Sequence, residues 1–295
     1  MSDMRDLSDG GSAALPLPVG GSPGRQFVGP LPHFWASLVV TARLFVARND
    51  AYKIEVVRGP LSLLVVFGVW RLTYAAAGRL EVAGADASGF LFVGMFGMTT
   101  WGATVWSIGN ALVRERGEGT LAALFISPVS RVALIAGYGA GQFVITLRVL
   151  STLLLLALAT GARLNVRDPA ALVAGAVALP LAAFATGFAF SGLFILSRRG
   201  NLLANFLQTP IWLAAGFVVP RTELHPWLRR LSDVLPASHA VDALRAGSLR
   251  AATLADLAPD LTWFAGTSLA WVLVGLFALR GVEHAAKRAG TLGLG

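Results

Sequence analysis

Residues 114–131, RERGEGTLAALFISPVSR, form a short charged-then-apolar run flanked on both sides by long hydrophobic segments. Glu115, Glu118, Gly119 and Thr120 precede Leu121, Leu124, Phe125 and Ile126, and Pro128 ends the run. The Thr120 hydroxyl is suited to capping a helix over 121–127. Such a helix has two turns, one apolar face and charged shoulders. The plainer reading is a polar turn between two neighbouring helices. A turn of that kind needs only a few residues, however, and this stretch uses 18 with bulky apolar side chains at its centre. An exposed amphipathic helix of this sort calls for a groove on a partner.

Outward from that stretch the chain reads as lipid-embedded. The apolar runs predict six spans, at about 59–78, 88–113, 132–160, 170–196, 201–220 and 261–280, each long enough for ~30 Å of hydrocarbon at ~1.5 Å per residue. Pro180 and Pro210 fall inside the fourth and fifth, where neighbouring helices can satisfy the freed carbonyls. Residues 33–57 mix Trp35, Leu38, Ala42, Phe45 and Val46 at helical spacing with Arg43, Arg48, Asp50 and Lys53. They predict an N-terminal amphipathic helix lying in the membrane interface. A solvated helical lead-in is the alternative. Residues 1–32 carry Asp3, Asp6, Asp9 and many Gly, Ser and Pro without an apolar core, and read as a flexible tail rather than a cleavable signal. The membrane domain then covers 33–285, and 286–295 form a C-terminal tail.

Composition agrees. The 295 residues are 55% hydrophobic and 14% charged, with mean hydropathy +0.67. Soluble domains carry about 25% charged residues. The net charge of +8 is not a nucleic-acid signature, because the Lys and Arg lie in the gaps between apolar runs and no recognition motif accompanies them. With the N-terminus inside, the inner segments hold 14 Lys and Arg and the outer loops hold 8. That distribution places both termini and residues 114–131 in the cytoplasm of a multi-pass cell-membrane protein. There are no cysteines, which excludes disulfides and thiolate chemistry. The four histidines, His33, His225, His239 and His284, have no metal-ligand spacing.

Two motifs carry a family resemblance. E-R-x-x-G-T at Glu115–Thr120, followed by S-P-V-S-R at Ser127–Arg131, resembles the cytoplasmic loop of type-2 ABC exporter permeases. A second match follows the fifth span: Pro220, His225-Pro226-Trp227-Leu228, Leu235-Pro236-Ala237-Ser238 and Val241-Asp242-Ala243-Leu244-Arg245. With the six spans, the resemblance covers about residues 35–285. The chain departs from the family at Gly117, where a further acidic residue often follows the E-R pair; Glu118 stands one place later.

The resemblance implies that residues 115–131 are a coupling helix seated on a cytoplasmic nucleotide-binding subunit. Glu115, Arg116, Glu118, Gly119, Thr120, Leu121, Leu124, Phe125, Pro128 and Arg131 would then make the contact. It further implies a second permease subunit, identical or homologous. ATP and Mg would be bound by the partner subunit, since this chain has no phosphate-binding loop of the G-x-x-x-x-G-K-[ST] type. Residues 221–260 would form short helices that re-enter the outer leaflet, with Pro220, Trp227, Pro236, Asp242 and Arg245 at the exit. An amphipathic cap packed on the bundle is the plainer alternative.

Within the spans, Arg148 falls near the middle of the third. A central arginine costs at least ~2.5–3.5 kcal/mol on insertion scales and must face protein, water or an anion. No Asp or Glu lies in any predicted span, so the choices are an anionic lipid or substrate group, or hydrogen bonds to carbonyls or to Gln142, Thr146 and Thr152. Arg71 lies in the outer half of the first span and is placed to snorkel. Trp101 and Trp106 lie deeper, either lining a path or filling the core. Gly94, Gly97 and Gly102, with Gly137, Gly139 and Gly141, predict close helix contacts. The resulting expectation is an all-α permease exporting an amphipathic or lipid-linked substrate. Its alternatives are an ion-coupled secondary transporter and a lipid-modifying membrane enzyme. The lack of membrane carboxylates disfavours the first, and the lack of a clustered polar site disfavours the second.

Overall fold

The computed structural model describes residues 30–109, 119, 131–196 and 200–289. Among these there are nine α-helices: α1 (Pro30–Ala51), α2 (Lys53–Ala76), α3 (Ala87–Gly109), α4 (Arg131–Ala159), α5 (Pro169–Leu196), α6 (Gly200–Ala214), α7 (Pro226–Val234), α8 (Pro236–Leu249) and α9 (Ala258–Ala289). A two-residue hairpin, Glu81–Val82 with Ala85–Asp86, turns the chain from α2 into α3 through Ala83 and Gly84, both at positive φ. Apart from this turn the described residues hold no strand, as in an all-α membrane protein.

Among the described residues, five helices are long and apolar enough to cross a membrane: Val57–Ala76, Ala87–Ile108, Val132–Ala159, Pro169–Phe190 and Ala258–Gly281. They coincide with five of the six predicted spans. The predicted fifth span, 201–220, differs: α6 stops at Ala214 after 15 residues. Gly216, at φ +74°, turns the chain out of the helix, and residues 215–218 continue as buried irregular backbone. At the C-terminus α9 runs to Ala289 and enters the predicted tail, and α1 begins three residues inside the predicted N-terminal one.

The helices pack through small residues. α1 runs parallel to the first half of α4. A Cβ on Gly137 would stand 2.8 Å from the Leu38 carbonyl oxygen, and one on Gly141 would stand 2.9 Å from that of Ala42. The glycines predicted to allow close approach therefore do so. α8 lies on α5 in the same way, with Gly175 against the Leu244 backbone and Gly247 against Ala171. The central core joins α3, α5, α6 and α8 through Trp101, Leu179, Ile211, Phe217 and Leu244. The far sides of α2 (Leu61, Val65, Val69, Leu72) and α9 (Leu269, Leu273, Val274, Phe277) are exposed apolar faces, as lipid or another apolar surface would require.

Arg148 corrects an expectation. Its guanidinium forms a two-pronged pair with Asp50, Nη1 to Oδ1 at 2.6 Å and Nη2 to Oδ2 at 3.2 Å. The acid is supplied by α1, which the sequence placed outside the spans. Because α1 runs beside α4, its last turn comes level with residue 148. Gln142 and Thr146, the candidate polar partners, bond each other instead, at 3.4 Å.

Candidate functional site

The α6 break is the most elaborately held part of the molecule. It faces the same end of the bundle as α7, α8 and the α2–α3 turn. A helix end leaves carbonyl oxygens without intrahelical partners, and buried carbonyls need donors. Here the donors are side chains. Arg245, on α8 and only 2% exposed, donates from Nη1 to the Gly216 oxygen (2.7 Å) and from Nη2 to the Phe217 oxygen (2.8 Å). Its guanidinium carbon lies 3.8 Å from the centre of the Phe90 ring of α3, within cation–π range. The Tyr74 hydroxyl of α2 donates to the Val218 oxygen at 2.6 Å.

α3 receives this segment in a notch. A Cβ at Gly94 would come 1.8 Å from the Phe217 oxygen, and one at Gly97 would meet the Phe217 ring at 2.6 Å. These two glycines are therefore required by what they touch. The adjoining turn, Arg221–Glu223, is tied down by charge. Arg221 reaches Asp242 and Asp233, both at 2.7 Å, and Arg229 donates to the Thr222 oxygen at 2.6 Å. Arg79 pairs with Glu223 from the α2–α3 connection, and this hydrogen-bonded pair holds the Glu223 carboxyl below its usual range. Beside the turn, His239 stacks on Trp263 and its Nε2 lies 3.1 Å from the Asp233 oxygen.

The neighbouring loops are fastened similarly. Asp168 accepts from the Leu254 and Ala170 backbone N–H groups at 2.8 and 2.9 Å, which lowers its pKa. Asp256 accepts from the Thr253 backbone and hydroxyl, with the same effect.

Of the exit residues picked out in the sequence, the structure gathers Pro220, Asp242 and Arg245 around the 216–223 segment. Pro220 is buried and accepts the Glu223 N–H; Pro236 is buried at the start of α8. Trp227 does not join them and stands 59% exposed on α7. Sequence reasoning misses Tyr74, Phe90, Arg221 and the carbonyls of 216–218. Gly216, six residues past Pro210, is the signal that could have pointed to them. Trp101 is buried in the core, whereas Trp106 is half-buried with its indole N–H 3.4 Å from the Gln208 Oε1. Trp212 packs against Gly102 inside the bundle. Arg71 is half-buried and donates from Nε to the Ser88 hydroxyl at 2.9 Å.

The coupling stretch lies almost wholly outside the described residues. That holds for Glu115, Arg116, Glu118, Thr120, Leu121, Leu124, Phe125 and Pro128. Gly119 is an exposed turn residue at φ +73°, and Arg131 begins α4.

A bundle of long apolar helices with exposed apolar faces defines a multi-pass membrane protein. The family model of the ABC-2 type transporter matches residues 34–249, and the chain belongs to that family. It is accordingly a membrane permease component of an ABC-type transporter and not itself the ATPase; such permeases generally work with an ATP-binding subunit. Comparison with curated proteins gives no match at a significant level.

Proposed function

We propose that the chain is the six-span permease of an ATP-driven exporter in the cell membrane, with both termini cytoplasmic. It would move an amphipathic or lipid-linked substrate outward. The observation that carries this reading is the family match over 34–249, which runs from within α1 to the end of α8 and takes in the charged loop between α3 and α4. The sixth crossing is α6 together with the irregular segment after it. Fifteen helical residues reach only about 22 Å, and residues 215–220 supply the remainder. Irregular backbone at that depth is tolerable because it is buried in protein and its carbonyls are satisfied.

In this scheme the loop around 115–131 sits in a cleft of a nucleotide-binding subunit, which holds the ATP and Mg. A second permease subunit, identical or homologous, completes the pathway against the exposed faces. ATP draws the two ATPase subunits together, and α3 and α4, which flank the loop, carry that motion into the bundle. The shift is a rigid-body switch driven by differential affinity for ATP. The strapped end, with Arg245 and Asp242, is then the exit side, and Arg71 and Trp106 are candidates for lipid or substrate contact.

Leu124→Asp and Phe125→Asp test this. Both should insert normally, and both should separate ATP hydrolysis from transport in the reconstituted complex. Undiminished ATP-driven export by both variants defeats the assignment of the loop.

A further inference from the structure

We infer that Arg245 is a positioning residue that clasps the exit shut. Its one guanidinium joins three elements: α8, which carries it; the α6 break, whose Gly216 and Phe217 oxygens accept from it; and α3, whose Phe90 ring lies against it. The inference rests on the orientation proposed above, with the strapped end facing outward.

The chemistry of the joint is unusual for an apolar core. A guanidinium buried among apolar groups is costly unless paired and hydrogen-bonded. Arg245 makes no salt bridge with Asp242, the acidic residue one turn before it on α8, because that carboxylate is engaged by Arg221 at 2.7 Å. A helix continued to residue 222 would meet the Phe217 and Val218 carbonyls with backbone N–H groups but would leave that of Gly216 without a donor, because Pro220 has no N–H. The chain instead breaks the helix at Gly216 and closes it with a side chain from elsewhere. What that arrangement gains is a joint that can open. When α8 withdraws, water replaces the guanidinium on the carbonyls and the carbonyls on the guanidinium, so both halves remain solvated. An apolar contact in place of the clasp would add further apolar surface at each opening. Phe217 supplies the bulk of the closure, its ring held in the Gly94–Gly97 notch. Arg245 holds the backbone that keeps the ring there. Movement of α8 is thereby the condition for opening.

The natural absence of cysteine allows a direct test with three single-thiol variants. Val218→Cys places a thiol at a position 4% exposed, one residue past the clasped carbonyls. Leu254→Cys, 43% exposed in the loop before α9, reports which side that end faces. Ala157→Cys, fully buried on α4, which Arg245 does not join, reports general loosening. The full chain is labelled in intact cells with a membrane-impermeant maleimide. With Arg245 in place, the thiol at position 254 should label rapidly and both buried thiols slowly. Adding Arg245→Met should raise labelling at position 218 roughly tenfold or more, as expected for loss of two hydrogen bonds to a charged group, and leave position 157 slow. Arg245→Lys should return the rate toward that of the Val218→Cys chain alone. If the Met variant does not accumulate, Arg245→Gln, which keeps at most one of the two bonds, should give an intermediate rate. An unchanged rate at position 218 in the Met or Gln variant overturns the clasp. So does an equal rise at positions 218 and 157, or fast labelling at 218 with Arg245 in place. If the thiol at 254 labels only in inverted vesicles, the orientation is wrong, and the comparison at position 218 made in those vesicles still decides the clasp.

Discussion

The strapped end around residues 216–224 and the seam between α1 and α4 hold their parts together by opposite means. At the strapped end the chain has left the helix, and the carbonyls of 216, 217 and 218 are each met by a donor from another element. Along the seam both partners stay helical and satisfy their own backbones, so close contact needs only the absence of side chains at Gly137 and Gly141. An ion pair, Asp50 with Arg148, is added at the seam's end. The difference follows from where the backbone groups are used. In apolar surroundings irregular backbone demands polar side chains, while helical backbone demands small ones.

The two regions meet in their use of glycine, and the largest effect is expected there. Gly94→Leu puts a side chain where the Phe217 oxygen already lies, and neither that backbone nor α3 can yield without breaking the Arg245 bonds. The expected cost exceeds ~4 kcal/mol, beyond the usual range for one substitution. Size-exclusion chromatography should show no monodisperse protein. Gly68→Leu is its control, since a Cβ there meets nothing within 4 Å, and that variant should behave as the parent. A folded Gly94→Leu protein would mean that the notch is not closed.

Gly137→Val comes next. Its side chain would collide with Thr41 and the Leu38 carbonyl, but α1 can move away as a unit because the chain already breaks at Tyr52. A cost of about 1–3 kcal/mol is expected, confined to the docking of α1. Limited proteolysis should cut near Tyr52 while the remaining helices stay protected. Global unfolding would show that the seam supports more than α1.

These contrasts also explain what is readable in the sequence. The five long helices follow from runs of apolar residues, and the glycine contacts follow from small residues at helical spacing. The end of α6 does not, because Leu213-Ala214-Ala215-Gly216-Phe217-Val218 is as apolar as the helix before it. Hydropathy cannot separate a buried helix from buried irregular backbone that is satisfied from elsewhere. Arg245 is marked through family resemblance, and its acceptors, being backbone oxygens, leave no trace in residue type. Tyr74 looks like one more aromatic in a span. Asp50 reads as part of a lead-in segment, so only the packing of α1 beside α4 reveals it as the partner of Arg148.

That pair should matter less than either glycine. Arg148 and Asp50 side chains are 46% and 43% exposed, and an Asn at position 50 still offers an amide oxygen to the guanidinium, so where detergent leaves the pair hydrated the loss is about 1 kcal/mol or less. Asp50→Asn should therefore shift the melting temperature only slightly in detergent. The reversed pair, Asp50→Arg with Arg148→Asp, should recover the parent value. A large loss in Asp50→Asn that the reversed pair does not recover would assign Asp50 a role apart from Arg148.

The smallest effect is expected at the loops beside the strap, and it appears only in acid. Asp168 is held ionised by the Leu254 and Ala170 N–H groups, so its pKa is lower in the folded protein than in the unfolded chain. The folded state then binds fewer protons, and the contribution is fully present above the ordinary carboxyl value of about 3.9. It is lost as pH falls through the lower folded value. Asp168→Asn keeps one oxygen acceptor but removes the charge. Its melting temperature should lie slightly below the parent at neutral pH and converge with it only as pH falls through the lowered folded value, where the parent carboxyl is protonated too. Glu223, held down by Arg79, titrates in the same sense, so a residual acid slope should remain in Asp168→Asn and shrink further when Glu223→Gln is added. If the parent and Asp168→Asn curves run parallel from neutral pH into acid, the carboxylate does not fasten the loop that leads into α9. The strap would then end at the Arg221–Glu223 turn instead of extending to residue 254.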